Sequence, residues 1–430
     1  VHQRENEMTK SNHSPLSKPF PKKERLEELL SLAQTYRGWT LRELAETLGR
    51  DPHKLVPESG VPKLDLVLRL AEVLDWSVDH VASDLCGDAE QSSAQAEGSV
   101  SFRALDEAAF TAYESGRFEE VAQIAEQAFR VARSADERAR SIMRHIAACD
   151  ALGLHSQALE HAQRGLRELD ASQEFHLSFR VNLANAHYTL GNFYEAEALA
   201  NSLLEWFSSN PMPSPNSQST KATASYVRGS CHRCLAGTSK SEVLWHAQRA
   251  YEDLSAALRL YDDHAAQTGR ETYAGYGNVC RGALLELAPL LGTSSPDQAL
   301  EALLGGLDEV VNPSQMPKGA WLESWGWWCI FGCNVAMRHI EDPERLQSLM
   351  AVFTNKADEI AEHLGNWALR ERVWTMELER RRHAEGRQLD AEEWVMDDDD
   401  VRIVAGTMAR FPVFREVGWQ VLRSARRVRV

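Results

Sequence analysis

The residues in this chain with the most chemistry available to them are its cysteines. There are seven, and "CHRC" (Cys231 to Cys234) has the spacing of a zinc-binding or thiol-redox pair. A structural zinc site needs a second pair, and the sequence offers only Cys280 alone or Cys329 with Cys333, a poor set. A thioredoxin-like centre needs a βαβ context, which the helical pattern around Cys231 does not supply. The pair therefore reads as small buried or half-buried thiols, and no metal is expected. An odd number of cysteines at irregular spacing makes no disulfide framework and fits free thiols in a reducing compartment. The sequence contains no Gly-rich phosphate loop, no His-Glu-x-x-His and no Gly-x-Ser-x-Gly. No catalytic residue and no cofactor are expected, so an enzyme is not the reading these residues favour.

Three other stretches stand out. "WLESWGWWCIFGC" gathers Trp321, Trp325, Trp327 and Trp328. Of these, Trp321, Trp325 and Trp328 fall at helical spacing, which predicts core or dimer surface rather than an aromatic ligand cage. The run "DDDD", Asp397 to Asp400, predicts a solvated helix start, where carboxylates suit the helix dipole. The tail "RSARRVRV" is basic. It could touch nucleic acid or pair with acidic helices, and a helix C-terminus favours Arg in any case.

These residues must be positioned by a chain of 430 residues, too long for one ordinary core, so two or three domains are expected. Hydrophobic content of 43% and charged content of 26% are those of a soluble globular protein. No apolar run is long enough to span a bilayer. The opening "VHQRENEMTKSNHSPLSKPFPKK" lacks the apolar core of a signal peptide, which predicts a cytoplasmic location. A net charge of −16 argues against broad, non-specific nucleic-acid binding. Any contact with DNA must come from a local patch.

Residues 1–21 hold three prolines without apolar periodicity and read as a disordered arm. A compact helical segment spans residues 22–86, and the small, polar residues 87–99 read as a linker. From Val100 onward nearly everything reads as helix, with no proline between Lys63 and Asn210. Three phrases in this region align: "YESGRFEEVAQIAEQAF", "DALGLHSQALEHAQRGL" and "YTLGNFYEAEALANSLL". Their glycines are Gly116, Gly153 and Gly191. Each is followed by a ring (Phe118, His155, Phe193) and then by a small or β-branched residue (Val121, Ala158, Ala196). The glycine ends one helix without a Cβ clash, the ring wedges into the turn, and the small residue lets the next helix pack close.

This pattern resembles the tetratricopeptide repeat. The resemblance implies an all-α chain whose residues 100–310 form an α-solenoid of helical hairpins, with degenerate helical repeats and C-terminal helices over 311–430. In such arrays the first helix of each hairpin lines a concave face that holds an extended peptide. The third repeat places Asn182, Asn185 and Tyr188 on adjoining helical positions of that first helix. Asn185 matches a ligand-contacting asparagine of peptide-binding members, and a peptide or protein effector is the partner this implies. The competing reading is an asparagine bonded to neighbouring helices.

Within residues 22–86, "RLEELLSLAQTYRG" predicts a first helix ending near Gly38, with Leu26, Leu29, Leu30 and Ala33 on one face. "TLRELAETLG" follows, with Thr40 and Glu43 as a capping box and Gly49 as the stop. Asp51 can cap a third helix with Pro52 at its first position. "KLDLVLRLAEVLDW" and "SVDHVASDL" predict a fourth and a fifth.

This five-helix head resembles the Cro/cI-type (XRE) helix-turn-helix family. The resemblance is carried by Leu44-Ala45, Leu48-Gly49, Glu58-Ser59-Gly60, Pro62, and Leu66, Ala71 and Leu74. It implies a recognition segment "RDPHKLVPES", with Arg42, Arg50, His53 and Lys54 as candidate groove contacts. Two departures matter. Leu41 stands where the family carries a polar residue, and Pro57 limits the third helix to little more than one turn. The two resemblances together imply a DNA-binding transcriptional regulator whose solenoid senses a peptide or protein and mediates homodimerisation. The alternative is a tetratricopeptide interaction scaffold whose helix-turn-helix domain no longer binds DNA.

Overall fold

Leu26, Leu29, Leu30 and Ala33 recur at three- and four-residue steps. In the computed structural model all four are buried on one face of the first helix, α1 (Lys23–Arg37). The structure describes residues 23–57, 62–76, 78–86, 101–214, 217–238, 241–386 and 394–428. The expected disordered arm, the linker and the Glu58-Ser59-Gly60 phrase lie outside them. The fold is all-α apart from one pair of three-residue strands, and it divides into two units, Val1–Ser99 and Val100–Val430. Among the described residues no helix is long and apolar enough to cross a membrane.

In the first unit α2 (Leu41–Thr47) begins on the expected capping box. Thr40 Oγ1 accepts from the Glu43 amide at 3.3 Å, and the Glu43 carboxylate accepts from the Thr40 amide at 2.8 Å. These bonds hold the Glu43 carboxyl below the usual carboxylate range. Helices α3 (Leu64–Leu74) and α4 (Val78–Cys86) complete the unit. Leu44, Leu48, Leu55, Leu66, Leu70 and Leu85 close its core over α1. One end is locked by Arg37, which donates to Val73 O at 2.7 Å and pairs with Asp75 at 3.0 Å.

The third of the five expected helices is reduced to a 3-10 turn, Pro52–Lys54, capped by Asp51 accepting from the His53 amide at 2.8 Å. The cause is Pro57. It has no N–H to continue the ladder, and it disfavours helical backbone at Val56, leaving too few residues after Pro52 for a regular turn.

The second unit is a succession of helical hairpins. The three repeats become α5 (Phe102–Glu114) with α6 (Phe118–Val131), α7 (Ala135–Ala151) with α8 (His155–Gly165), and α9 (Gln173–Thr189) with α10 (Phe193–Ser209). Gly116, Gly153 and Gly191 sit at the turns with φ of +71°, +70° and +84°, the left-handed backbone that glycine tolerates best. Val121, Ala158 and Ala196 are buried where paired helices meet. Hairpins continue as α11 (Ser217–Thr238) with α12 (Val243–Thr268), α13 (Glu271–Leu287) with α14 (Pro296–Gly306), and α15 (Ala320–His339) with α16 (Pro343–Leu364). Trp325 and Trp328 are buried in the largest apolar core, and Trp328 Nε1 donates to Asn278 O at 2.8 Å. Core, not a ligand cage, is their place.

The C-terminal part is α17 (Trp367–Gly386), strand β1 (Trp394–Met396), α18 (Asp398–Arg410), α19 (Arg415–Ser424) and strand β2 (Ala425–Arg427). The "DDDD" run starts α18 as expected, with Asp397 Oδ1 accepting from the amides of Asp399 and Asp400 at 2.8 and 2.9 Å. The basic tail departs from the helical expectation, since β2 pairs in parallel with β1. This segment packs back onto the repeat turns. Arg410 Nε donates to Leu152 O at 3.1 Å, and the Phe411 ring lies 5.4 Å from the His155 ring. A Cβ added to Gly153 would stand 2.9 Å from Trp367 Cβ, and one on Gly191 3.4 Å from Val413. The repeat array therefore ends against its own beginning.

Candidate functional site

In the first unit the candidate cations are carried by α2, the turn after it and the Pro52–Lys54 turn. Arg42, His53 and Lys54 are exposed, and their side chains have no ion pair among the described residues. Arg50 differs. Its guanidinium is bonded to Asp65 at 2.5 Å, with the Arg50 side chain 26% exposed. A phosphate would have to compete with that carboxylate. Arg69, not singled out in the sequence, lies over the same turn, since a Cβ on Gly49 would stand 2.6 Å from its Nη1. It comes from α3, and only the fold brings it there. Leu41 is 47% exposed at the position where a polar residue was expected.

In the second unit the first helices of the hairpins share an inner face. On α9, Asn182 Nδ2 donates to Ser178 O of its own helix at 2.7 Å. Tyr188 packs against Phe193 and Tyr226, and its hydroxyl accepts from Arg233 Nη2 at 3.4 Å. The Asn185 side chain is half-buried, and its carbonyl accepts from Thr189 Oγ1 at 2.9 Å. The three are thus unequal. Asn182 is bonded within α9, Tyr188 is drawn into a neighbouring network, and the Asn185 side chain has no hydrogen bond among the described residues.

That network was not legible locally. Glu286 on α13, 0% exposed, accepts from Arg233 Nη1 and Arg338 Nη1, each at 2.9 Å. The Arg233 guanidinium lies 5.0 Å from the Phe331 ring centroid. Its Nε is buried without an acceptor among the described residues. "CHRC" sits on the same helix, α11. Burial pushes the Cys231 thiol up, which suits a packed apolar group rather than a nucleophile or ligand. His232, between the cysteines, places Nδ1 at 3.1 Å from His246 Nδ1.

At the start of α15 the Glu323 carboxylate accepts from Trp327 Nε1 at 3.3 Å and Asn366 Nδ2 at 2.9 Å. Burial raises its pKa, and the charge of Asp150 adds to the shift. Burial also pushes the Tyr113 hydroxyl up to about 12, with Asp150 and Glu323 contributing. Burial raises the Tyr276 pKa, with Tyr113 and Glu323 adding, although Tyr276 keeps 37% of its surface exposed. Groups from α5, α7, α13 and α15 therefore act on one another across a common interior. Two open depressions, about 310 and 540 Å³, are lined by Asp297 and Arg345 with their neighbours, none of them inner-face residues named above.

No protein-family profile matches the chain, and no curated protein matches it. Among solved structures 19 chains match. One is the crystal structure of Bacillus thuringiensis PlcR in complex with the peptide PapR7 and DNA. It has 11% sequence identity and a TM-score of 0.36, covering 67% of this chain and 95% of that chain.

Proposed function

We propose that this protein is a cytoplasmic DNA-binding transcriptional regulator of the Cro/cI-type helix-turn-helix family with a tetratricopeptide-like body. Residues 22–86 form the DNA-binding domain, and residues 100–430 sense a peptide or protein and mediate homodimerisation. The observation that carries this reading is in the first unit. Arg42, His53 and Lys54 stand exposed and without ion pairs around a turn whose apolar core is fully built. Cations held on a rigid frame position a protein on phosphates, and dimerisation doubles each contact. In the body, Asn185 is the inner-face residue on α9 with side-chain donor and acceptor both unused, which suits a peptide backbone.

The test is selection of random-sequence duplexes on the full-length protein, followed by titration of the winners across salt concentrations. Arg42→Ala with Lys54→Ala should weaken binding uniformly and reduce the salt slope by about two. Wild-type affinity and slope in that double variant would remove these residues from the interface. A second reading, an interaction scaffold that does not bind DNA, is favoured by the single 3-10 turn in place of a recognition helix and by the Arg50–Asp65 pair. Failure to select any duplex would decide for it.

A further inference from the structure

The inner face of the body has charge of opposite sign at its two ends. Glu323, Trp327, Phe331 and Arg338 recur at helical spacing and form one stripe along α15. At one end stand Arg233, Arg338 and Arg372 against the carboxylates Glu286 and Glu371. Three guanidiniums meet two carboxylates, which leaves an excess positive charge. Arg233 is only 8% exposed, and the Nε atoms of both Arg233 and Arg372 are buried without acceptors among the described residues. A buried, unused N–H on a cation is costly unless an acceptor reaches it.

At the other end Glu323 is held only by neutral donors, Trp327 and Asn366, and no Lys or Arg pairs with it among the described residues. Asp150 adds a second carboxylate there, 3.2 Å from His155 Nδ1. Half-buried tyrosines, Tyr113, Tyr188 and Tyr226, and the exposed Tyr276 belong to the same face. Glu323 and Phe331, over which Arg233 sits, are about 12 Å apart along the α15 axis at 1.5 Å per residue. An extended peptide covers that span with about four residues.

Resting on the reading of the body as a peptide sensor, we propose that this face binds a short free-ended peptide in one direction. The amino end lies at Glu323 and Asp150, and the carboxyl end at Arg233 and Arg372. An ammonium group supplies the cation that Glu323 lacks, and a carboxylate supplies an acceptor for the unused guanidinium N–H groups. A polyanion such as a nucleotide is disfavoured by the acidic end.

The experiment uses immobilised full-length protein and two synthetic tetrapeptide mixtures of identical random composition. One has free ends, and the other is acetylated and amidated. Retained peptides are quantified by mass spectrometry. The free-ended mixture should be retained at least tenfold better. Glu323→Gln should erase the advantage of a free amino end alone, and Arg372→Gln that of a free carboxyl end alone. If Glu323→Gln fails to fold, Asp150→Asn, at a side chain 48% exposed, repeats the acidic-end test. Equal retention of both mixtures overturns the charge polarity and leaves peptide sensing intact. No retention of either mixture by the wild type overturns both.

Discussion

Replacing Glu286 with Leu should be among the most damaging single changes in the body. Glu286 is 0% exposed and holds two guanidiniums by bonds of 2.9 Å. Without it Arg338, whose side chain is 26% exposed, can recover water. Arg233, whose side chain is 10% exposed, cannot, and is left as a buried cation with its main acceptor gone. Breaking a buried pair from one side costs about 3–5 kcal/mol. Spread over a body of about 330 residues, with unfolding entropy near 2.1 cal/mol/K per residue, this is a drop of about 4 to 7 °C in Tm. Urea denaturation followed by tryptophan fluorescence reads it directly, because Trp321, Trp325, Trp327 and Trp328 all lie on α15 beside Phe331. The triple change Arg233→Met, Glu286→Leu, Arg338→Met removes all three charges together and should recover most of the loss. A single variant that costs under about 1 kcal/mol, or a triple variant as unstable as the single, would refute the reasoning.

Three further outcomes are expected. Gly153→Ala forces a Cβ into left-handed backbone 2.9 Å from Trp367 Cβ, and should destabilise the body by about 2 kcal/mol or more in thermal melts. His161 stacks on His145 at 4.7 Å, and burial, with the charges of His145 and Arg164, pushes its pKa down to about 4. The unfolded chain takes up that proton near pH 6.5 and the folded body only near 4, so stability is full above the first value and falls as pH drops toward the second. His161→Phe should flatten that acid limb, and an unchanged limb would show that His161 is not its cause. Pro57→Ala restores an N–H and should lengthen the Pro52–Lys54 turn into a helix, seen as added helical signal by circular dichroism of the full-length protein.

Much of the fold was legible where the controlling physics is local. Gly116, Gly153 and Gly191 marked three turns because left-handed backbone selects glycine, and Asp397 marked a helix start because a short carboxylate reaches the next amides. Pro57 announced a shortened third helix, though the remnant is shorter than the sequence suggested. The β1–β2 pair was not legible, since three-residue strands carry no usable alternation and their partners lie on either side of α18 and α19. The inner-face network was missed for a different reason. Arg233, Glu286 and Arg338 come from three separate helices, and each alone looks like an ordinary surface charge. Asn182, Asn185 and Tyr188 were nominated from one helix, whereas what each of them can do depends on its neighbours across the interior.

The return of Arg410, Phe411 and Val413 onto the turns of the second and third repeats has a consequence for how the body is made. An open array of hairpins can fold progressively as it leaves the ribosome, because each unit needs only its neighbour. Here the turns at Gly153 and Gly191 stay uncovered until nearly the whole chain has been synthesised, some 250 residues after Leu152 is made, the separation of the Leu152–Arg410 bond. Nascent chains should therefore present these turns to chaperones late into translation. Adding or deleting a hairpin in the middle would also misalign the two meeting surfaces, so the number of hairpins is fixed by closure, as in a ring.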